Sequence, residues 1–398
     1  MQRPLWFLTV WSGAVAAALV ACGGGGGDSA SAQGTLRLTL TDAPACDYDN
    51  VWVTVERVRV HKSGSAGDND SGWSEVVLAN PQRIDLLEYT NGKTLPLGET
   101  QLPAGTYTQM RLVLAANGTN PPFANAIKPS GGAETALDTP SSQQSGLKFN
   151  VNMDVPADKV ADFALDFDAC RSFVKAGNSG KYLLKPVLAV IPVLSDAGQR
   201  IVGYVEPSLA NGSTLVSAQQ GGVVVKSTPP DATGKFVLYP VPAGSYDLVI
   251  TAPGRVNAVM TGVPVVTTAI TTVNGASAPL ATPPSGASFA AKGTITVNAS
   301  VVDTGGTVRA LQPVASGPTI QAGIVNANAA NGAYSALLPA SAPALTAYAA
   351  SASSYSFASA ASGAGAYTLS ATATGFATPK TAAITITNAD VTTNFVFP

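Results

Sequence analysis

Acyl-transfer chemistry needs a base between a nucleophile and an orienting acid, and this chain of 398 residues has one histidine, His61. Nothing around His61 forms a nucleophile elbow, so it reads as an exposed histidine at a strand end. Carboxylates are the other candidates. Asp162, Asp166 and Asp168 alternate with Phe163, Leu165 and Phe167, which places the three aspartates on one face of a strand or at its end. Asp166 and Asp168 then sit side by side, whereas glycoside hydrolysis needs two carboxyl groups across a cleft. The run Asp68-Asn69-Asp70-Ser71-Gly72 begins like a calcium loop. Its glycine falls one place early, and Ala79 stands where a bidentate Glu is needed, so it reads as an acidic turn. No catalytic residue is assigned.

The first residues say more about location than about chemistry. An apolar run from Leu5 to Ala18, with Arg3 ahead of it, leads into Leu19-Val20-Ala21-Cys22-Gly23. The run is short for a membrane span and fits the apolar region of a secretory signal. The sequence around Cys22 resembles the bacterial lipobox. That resemblance implies a signal peptide at 1–21, acylation of Cys22, and membrane attachment through its acyl chains, two or more of which anchor stably. An ordinary signal peptide that contains a cysteine is the alternative. Residues 22–33, with Gly23 to Gly27, read as a flexible tether. By analogy, Gly23 rather than Asp after the cysteine favours the outer membrane of a two-membrane envelope.

An exported chain folds where disulfides persist, and two cysteines remain, Cys46 and Cys170. They are expected to pair; two buried thiols are the alternative. A loop this long allows a stabilisation of up to about 5 kcal/mol in the chain-entropy account. The bridge would bring Asp47 and Asp49 near Asp168. A structural calcium site of Asp47, Asp49, Asp166 and Asp168 is therefore one expectation, and a solvated acidic face the other. No other cofactor is expected. With Cys22 acylated and the other two paired, a zinc site of His and Cys is excluded by counting.

Composition narrows the class. The formal net charge is −2 and only 12% of residues are charged, with no basic stripe, so nucleic acid is not an expected partner. No second long apolar run follows the first. Abundant Gly, Pro, Ser and Thr between short β-branched runs point to an all-β chain of tandem β-sandwich domains. Leu36, Leu38 and Leu40 alternate with polar residues, as do Val51, Val53 and Val55. The pattern then shifts to Val58 and Val60, which marks a bulge at Glu56-Arg57. Further strands are expected at 73–78, 106–114, 147–153, 163–167 and 182–191, with Pro186 and Pro192 at an edge or at strand ends. Residues 115–146 read as one long loop. Trp52, Trp73 and Tyr107 could form an aromatic platform for a sugar, although buried sheet aromatics are commoner.

Three stretches carry family resemblances. Leu40-Thr41-Asp42-Ala43-Pro44, then Leu102-Pro103-Ala104-Gly105-Thr106-Tyr107, then Leu165-Asp166-Phe167-Asp168-Ala169-Cys170 and Tyr182-Leu183-Leu184-Lys185-Pro186 resemble, in that order, the bacterial domain-of-unknown-function family 4382. The resemblance defines a domain at 34–196 and implies no activity. Residues 199–275, with Gly234-Lys235-Phe236 and Gly244-Ser245-Tyr246-Asp247-Leu248, resemble the carboxypeptidase regulatory-like domain, a small sandwich that serves as an accessory module. After a linker at 276–291, residues 292–398 repeat that pattern: Asn331-Gly332-Ala333-Tyr334 matches the first motif and Gly365-Ala366-Tyr367-Thr368-Leu369 the second. Residues 340–366 read as a low-complexity, flexible insertion. The expected function is a non-enzymatic envelope lipoprotein, a lipid-tethered string of β-sandwich modules that meets an envelope protein or polysaccharide. A carbohydrate-binding accessory protein is the alternative, and an envelope hydrolase a distant third.

Overall fold

In the first module the alternating leucines of the strand Gln33–Ala43 lie against the core, with Leu36, Leu38 and Leu40 buried. The computed structural model describes residues 32–43, 48–78, 80–139, 142, 145–176, 180–298, 305–360 and 362–398. Gln33–Ala43 is central in a four-stranded sheet. It pairs in parallel with Val160–Asp168 and antiparallel with Leu95–Pro103, and Leu188–Pro192 completes the edge. A second, nine-stranded sheet is built around Tyr48–His61, flanked by Gly105–Leu114 and Ala126–Pro129. The bulge is present: pairing with Gly105–Leu114 shifts between Val55 and Arg57, and burial moves from Val51, Val53 and Val55 to Val58 and Val60. One core holds the inward side chains of both sheets.

Two expectations for this module change. The stretch 182–191 is two strands, Lys181–Leu184 in the large sheet and Leu188–Pro192 in the small one. Pro186 lies between them, where proline cannot donate to a ladder. The presumed loop 115–146 contains the short strands Ala126–Pro129 and Thr135–Asp138. Both are too brief to show an alternation.

The middle module pairs a three-stranded sheet (Lys235–Leu238, Ile201–Tyr204, Thr271–Thr272) with a six-stranded one led by Val223–Thr228, Leu215–Gln220, Gly244–Thr251 and Ala258–Val265. The C-terminal module has two four-stranded sheets. Ser288–Val297 pairs with Ala333–Pro339 and Val391–Thr392, and Thr307–Pro313 with Thr319–Asn326 and Ala366–Thr372. Ser288–Val297 begins inside the stretch read as linker, and Leu280 of that stretch is buried in the middle core. The residues read as a flexible insertion are partly structural. Ala344–Ala347 extends the middle module's sheet by parallel pairing with Ala258–Val265, and Ala344 and Phe357 enter its core.

The modules are not beads on a string: Ala32–Pro398 forms one compact unit. Buried Asn257 donates to Gln312 at 2.7 Å, and Gln219 and Gln321 exchange two hydrogen bonds of 2.8 and 3.0 Å, joining the middle and C-terminal modules. Asn326 donates to the carbonyls of Cys170 and Arg171, both at 3.2 Å, joining the C-terminal module to the first. Asn91 accepts from the Val237 N–H at 2.6 Å, joining the first to the middle. Paired polar groups at a buried seam fix register, because an unmade bond there would cost about 1–3 kcal/mol.

Candidate functional site

The most unusual chemistry in the described residues lies between the first and middle modules. Parallel pairing sets Thr41 opposite Asp166 and Ala43 opposite Asp168. Thr41 and Asp166 therefore point from the sheet face away from the leucines. The middle module's strand Val223–Thr228 covers that face and places Lys226 on it. Lys226 Nζ donates to Asp166 Oδ1 at 2.5 Å and to Thr41 Oγ1 at 3.4 Å. The lysine side chain is 1% exposed and the aspartate 8%. Two charges this deep give up their hydration, and such pairs persist only where geometry repays the loss.

Two more carboxyl groups crowd the same strand ends. Asp42 is buried, with one oxygen accepting from the Ala169 N–H at 3.2 Å and the other, Oδ2, without a hydrogen-bond partner. Burial, reinforced by the fields of Asp166 and Asp168, pushes its carboxyl well above the usual range. Burial also raises Asp166, against the pull of Lys226. Asp168 caps the single helical turn Ala169–Ser172 by accepting from the Arg171 N–H at 3.1 Å. Burial pushes it up to about 6, with Arg171 opposing.

Next to this seam lies an open groove of about 510 Å³, lined among others by Arg37, Glu99, Asp162, Asp196 and Tyr239. Arg37 grips Asp162 through two parallel hydrogen bonds, the second 2.8 Å long. The Arg200 guanidinium lies 4.1 Å over the Tyr239 ring. The groove carries both signs of charge and one aromatic face. It suits a polar ligand, and its lining contains no histidine or cysteine.

The aspartates expected to share a face have separate roles: Asp162 holds Arg37, Asp166 holds Lys226, and Asp168 caps a turn. Of the expected calcium set Asp47, Asp49, Asp166 and Asp168, the described members are engaged elsewhere. Asp49 is exposed, 3.3 Å from both Lys128 Nζ and the Gly131 N–H, Asp166 is taken by lysine, and Asp47 lies outside the described residues. Among the described residues no group of three or more His, Cys, Asp or Glu could hold a metal. Cys22 and Cys46 also lie outside the described residues; Cys170 sits on the helical turn after Asp168.

His61 ends its strand as expected, and both ring nitrogens meet backbone groups. Nδ1 accepts from the Ser63 N–H at 2.9 Å, and Nε2 donates to the Ser71 carbonyl at 3.0 Å. The acidic turn is a latch: Asp68 pairs with buried Arg111, and Asp70 accepts from the Gly67 N–H at 2.9 Å. The aromatic platform does not form. Tyr107 is buried, Trp73 packs beside His61 beneath Arg59 and Arg111, and Arg83 lies 3.9 Å over Trp52. Sequence reasoning passed over Lys226 and Asp42. The only signal was a single lysine closing the run Val223-Val224-Val225, and its meaning depends on a partner sixty residues away in the chain.

Fold and contacts define a protein of three packed all-β modules. Residues 33–186, the first of these, match the family described as Domain of unknown function (DUF4382). No curated protein matches the chain. Among solved structures, a type II cohesin–X-dockerin complex from Acetivibrio cellulolyticus is 21% identical over 22% of this chain and 59% of its own, with a TM-score of 0.19. The Bacillus anthracis TIE protein is 12% identical over 92% of this chain and 50% of that one, at 0.18. BcpA, the major pilin subunit of Bacillus cereus, is 11% identical over 92% and 99%, at 0.14. This chain thus spans less than two thirds of the first two. No catalytic family is indicated.

Proposed function

We propose that the chain is a non-enzymatic lipoprotein of the bacterial cell envelope, anchored through Cys22 and reaching from the membrane on the Gly23–Gly27 tether. Its three modules act as one rigid body that presents the charged groove beside Arg37, Asp162 and Tyr239 to a polar envelope component, protein or polysaccharide. The observation that carries this reading is the locking of the modules by buried polar contacts, with the conspicuous carboxylates spent on structure: Lys226 on Asp166, Arg37 on Asp162, Arg111 on Asp68. A Cys46–Cys170 bridge belongs to the same reading. Parallel register brings Ala43, three residues before Cys46, opposite Asp168, two residues before Cys170.

The test is membrane fractionation of the full chain expressed with its own leader. Wild type is expected in the outer-membrane pellet and Cys22→Ser in the soluble envelope fraction. A Cys22→Ser protein that stays membrane-bound after leader removal would overturn the anchor.

A further inference from the structure

We infer that Lys226 and Asp166 are joined by an amide bond, a covalent cross-link between the middle and first modules. The reacting groups are already in contact, with Nζ 2.5 Å from Oδ1. Each is held by a paired strand rather than a loop, Lys226 opposite Ala218 and Asp166 opposite Thr41, so little motion separates contact from reaction. Holding two reactants in place removes the entropic cost of a bimolecular encounter. Thr41 Oγ1 steadies the amine from a second direction, 3.4 Å away.

Burial supplies the remaining condition. Side chains 1% and 8% exposed keep out bulk water, which would otherwise hold both groups charged and favour the free acid and amine. The same burial raises the Asp166 carboxyl toward its neutral form, the form that an amine attacks. In the step itself Nζ bonds to Cγ of Asp166 and one Cγ–Oδ bond breaks. That oxygen leaves as one water with two of the three ammonium hydrogens, and the third stays on the amide nitrogen. No oxidant, reductant or activated co-reactant is required. The cross-link would convert a seam held by side chains into one that withstands mechanical load. It does not depend on the lipid anchor.

Tandem mass spectrometry of the purified full chain tests this directly. The protein is reduced and alkylated first, so that no cysteine bridge contributes, and then digested. The expected result is a branched peptide whose mass is the sum of two linear peptides less one water, with fragment ions assigning the branch to Lys226 and Asp166. Lys226→Arg keeps a cation facing Asp166 but cannot form this amide; it is expected to lose the branched peptide and melt below wild type. Recovery of Lys226 and Asp166 from wild type only in separate linear peptides would overturn the proposal and leave the pair as a salt bridge. That readout needs no variant to fold.

Discussion

The middle and C-terminal modules share a set of contacts at corresponding turns. Val205 and Ile295 donate to the carbonyls of Gly234 and Gly332, each at 2.8 Å. Both glycines have positive φ, and a Cβ on either would lie 2.3 or 2.2 Å from the carbonyl oxygen of Val205 or Ile295. Asn274 and Asn394 accept from Tyr204 and Thr294 at 2.8 and 3.0 Å. The pairs Leu215–Gln220 with Val223–Thr228 and Thr307–Pro313 with Thr319–Asn326 each shift register, after Ala218 and after Ala310. Yet Ala218 pairs with Lys226, whereas Ala310 pairs with Gly323. The scaffold repeats and the docking lysine does not. The middle core is built of Val, Leu, Met and Phe, while the C-terminal core relies on Ala291, Ala310, Ala336, Ala371 and Ala373. The shared positions specify a sandwich; the differing ones decide what it attaches to.

Breaking the docking position should separate the modules most. Asp166→Ala removes the partner of Lys226, linked or paired, and leaves a buried ammonium alone; it is expected to cost at least about 3–5 kcal/mol, read by chemical denaturation. Gly323→Ala, at the C-terminal counterpart of Lys226, meets nothing nearer than Leu338 Cδ2 at 4.0 Å, so less than about 0.5 kcal/mol is expected. Equal effects at the two sites would end the claim that only one carries an interface. The seam also sets a pH dependence. Asp42 and Asp168 have folded pKa values above their ordinary ones. Stability from such groups is full below the unfolded value and is lost as pH rises through the folded one, about 6 for Asp168. Melting temperature should therefore fall between pH 5 and pH 7.5. A flat profile across that range would count against the buried cluster.

The second difference is the insertion. In the middle module Val241-Pro242-Ala243-Gly244-Ser245-Tyr246 is continuous, whereas Leu338-Pro339-Ala340 is separated from Gly365-Ala366-Tyr367 by residues 341–364. Deleting 341–364 rejoins the motif. The C-terminal module should fold unchanged while the middle module loses the burial of Phe357 and the strand Ala344–Ala347, a loss of about 2–3 kcal/mol from the phenylalanine alone. The uncovered edge of Ala258–Val265 should promote self-association, visible by light scattering. Hydrogen exchange would localise the loss; protection falling first in the C-terminal module would show that the insertion serves its own host instead.

Local patterns made the strands legible. The leucines of 36–40, the shift at Glu56 and the paired Gly-x-Tyr motifs each carry their instruction within a few residues. Long-range closure was not legible. The alternation of Asp166 and Asp168 fixed a common face, but not that a lysine from another module would cover it. Residues 340–366 read as flexible because alanine and serine show no period, yet Ala344 and Phe357 are held by a core belonging to a different module. Strand pairing between modules leaves no mark on either sequence alone.

The finest test of the shared plan is a hydroxyl. Tyr246 donates to the Pro242 carbonyl at 2.8 Å, and Tyr367 donates to the Pro339 carbonyl at 2.8 Å across the insertion. Tyr107 of the first module makes the same bond to Pro103 at 2.7 Å, within Leu102-Pro103-Ala104-Gly105-Thr106-Tyr107. In each case the hydroxyl ties a strand start to the turn before it, a tyrosine corner of the kind that staples β-sandwiches. Removing the oxygen leaves the ring packing intact and deletes one hydrogen bond, so Tyr107→Phe, Tyr246→Phe and Tyr367→Phe are each expected to cost about 1 kcal/mol. The informative quantity is the ratio between the last two, measured by denaturant unfolding. If the insertion merely interrupts an inherited corner, Tyr367→Phe costs as much as Tyr246→Phe. If it is silent, residues 341–364 have taken over the staple, and the two modules share a topology without sharing the contact that closes it.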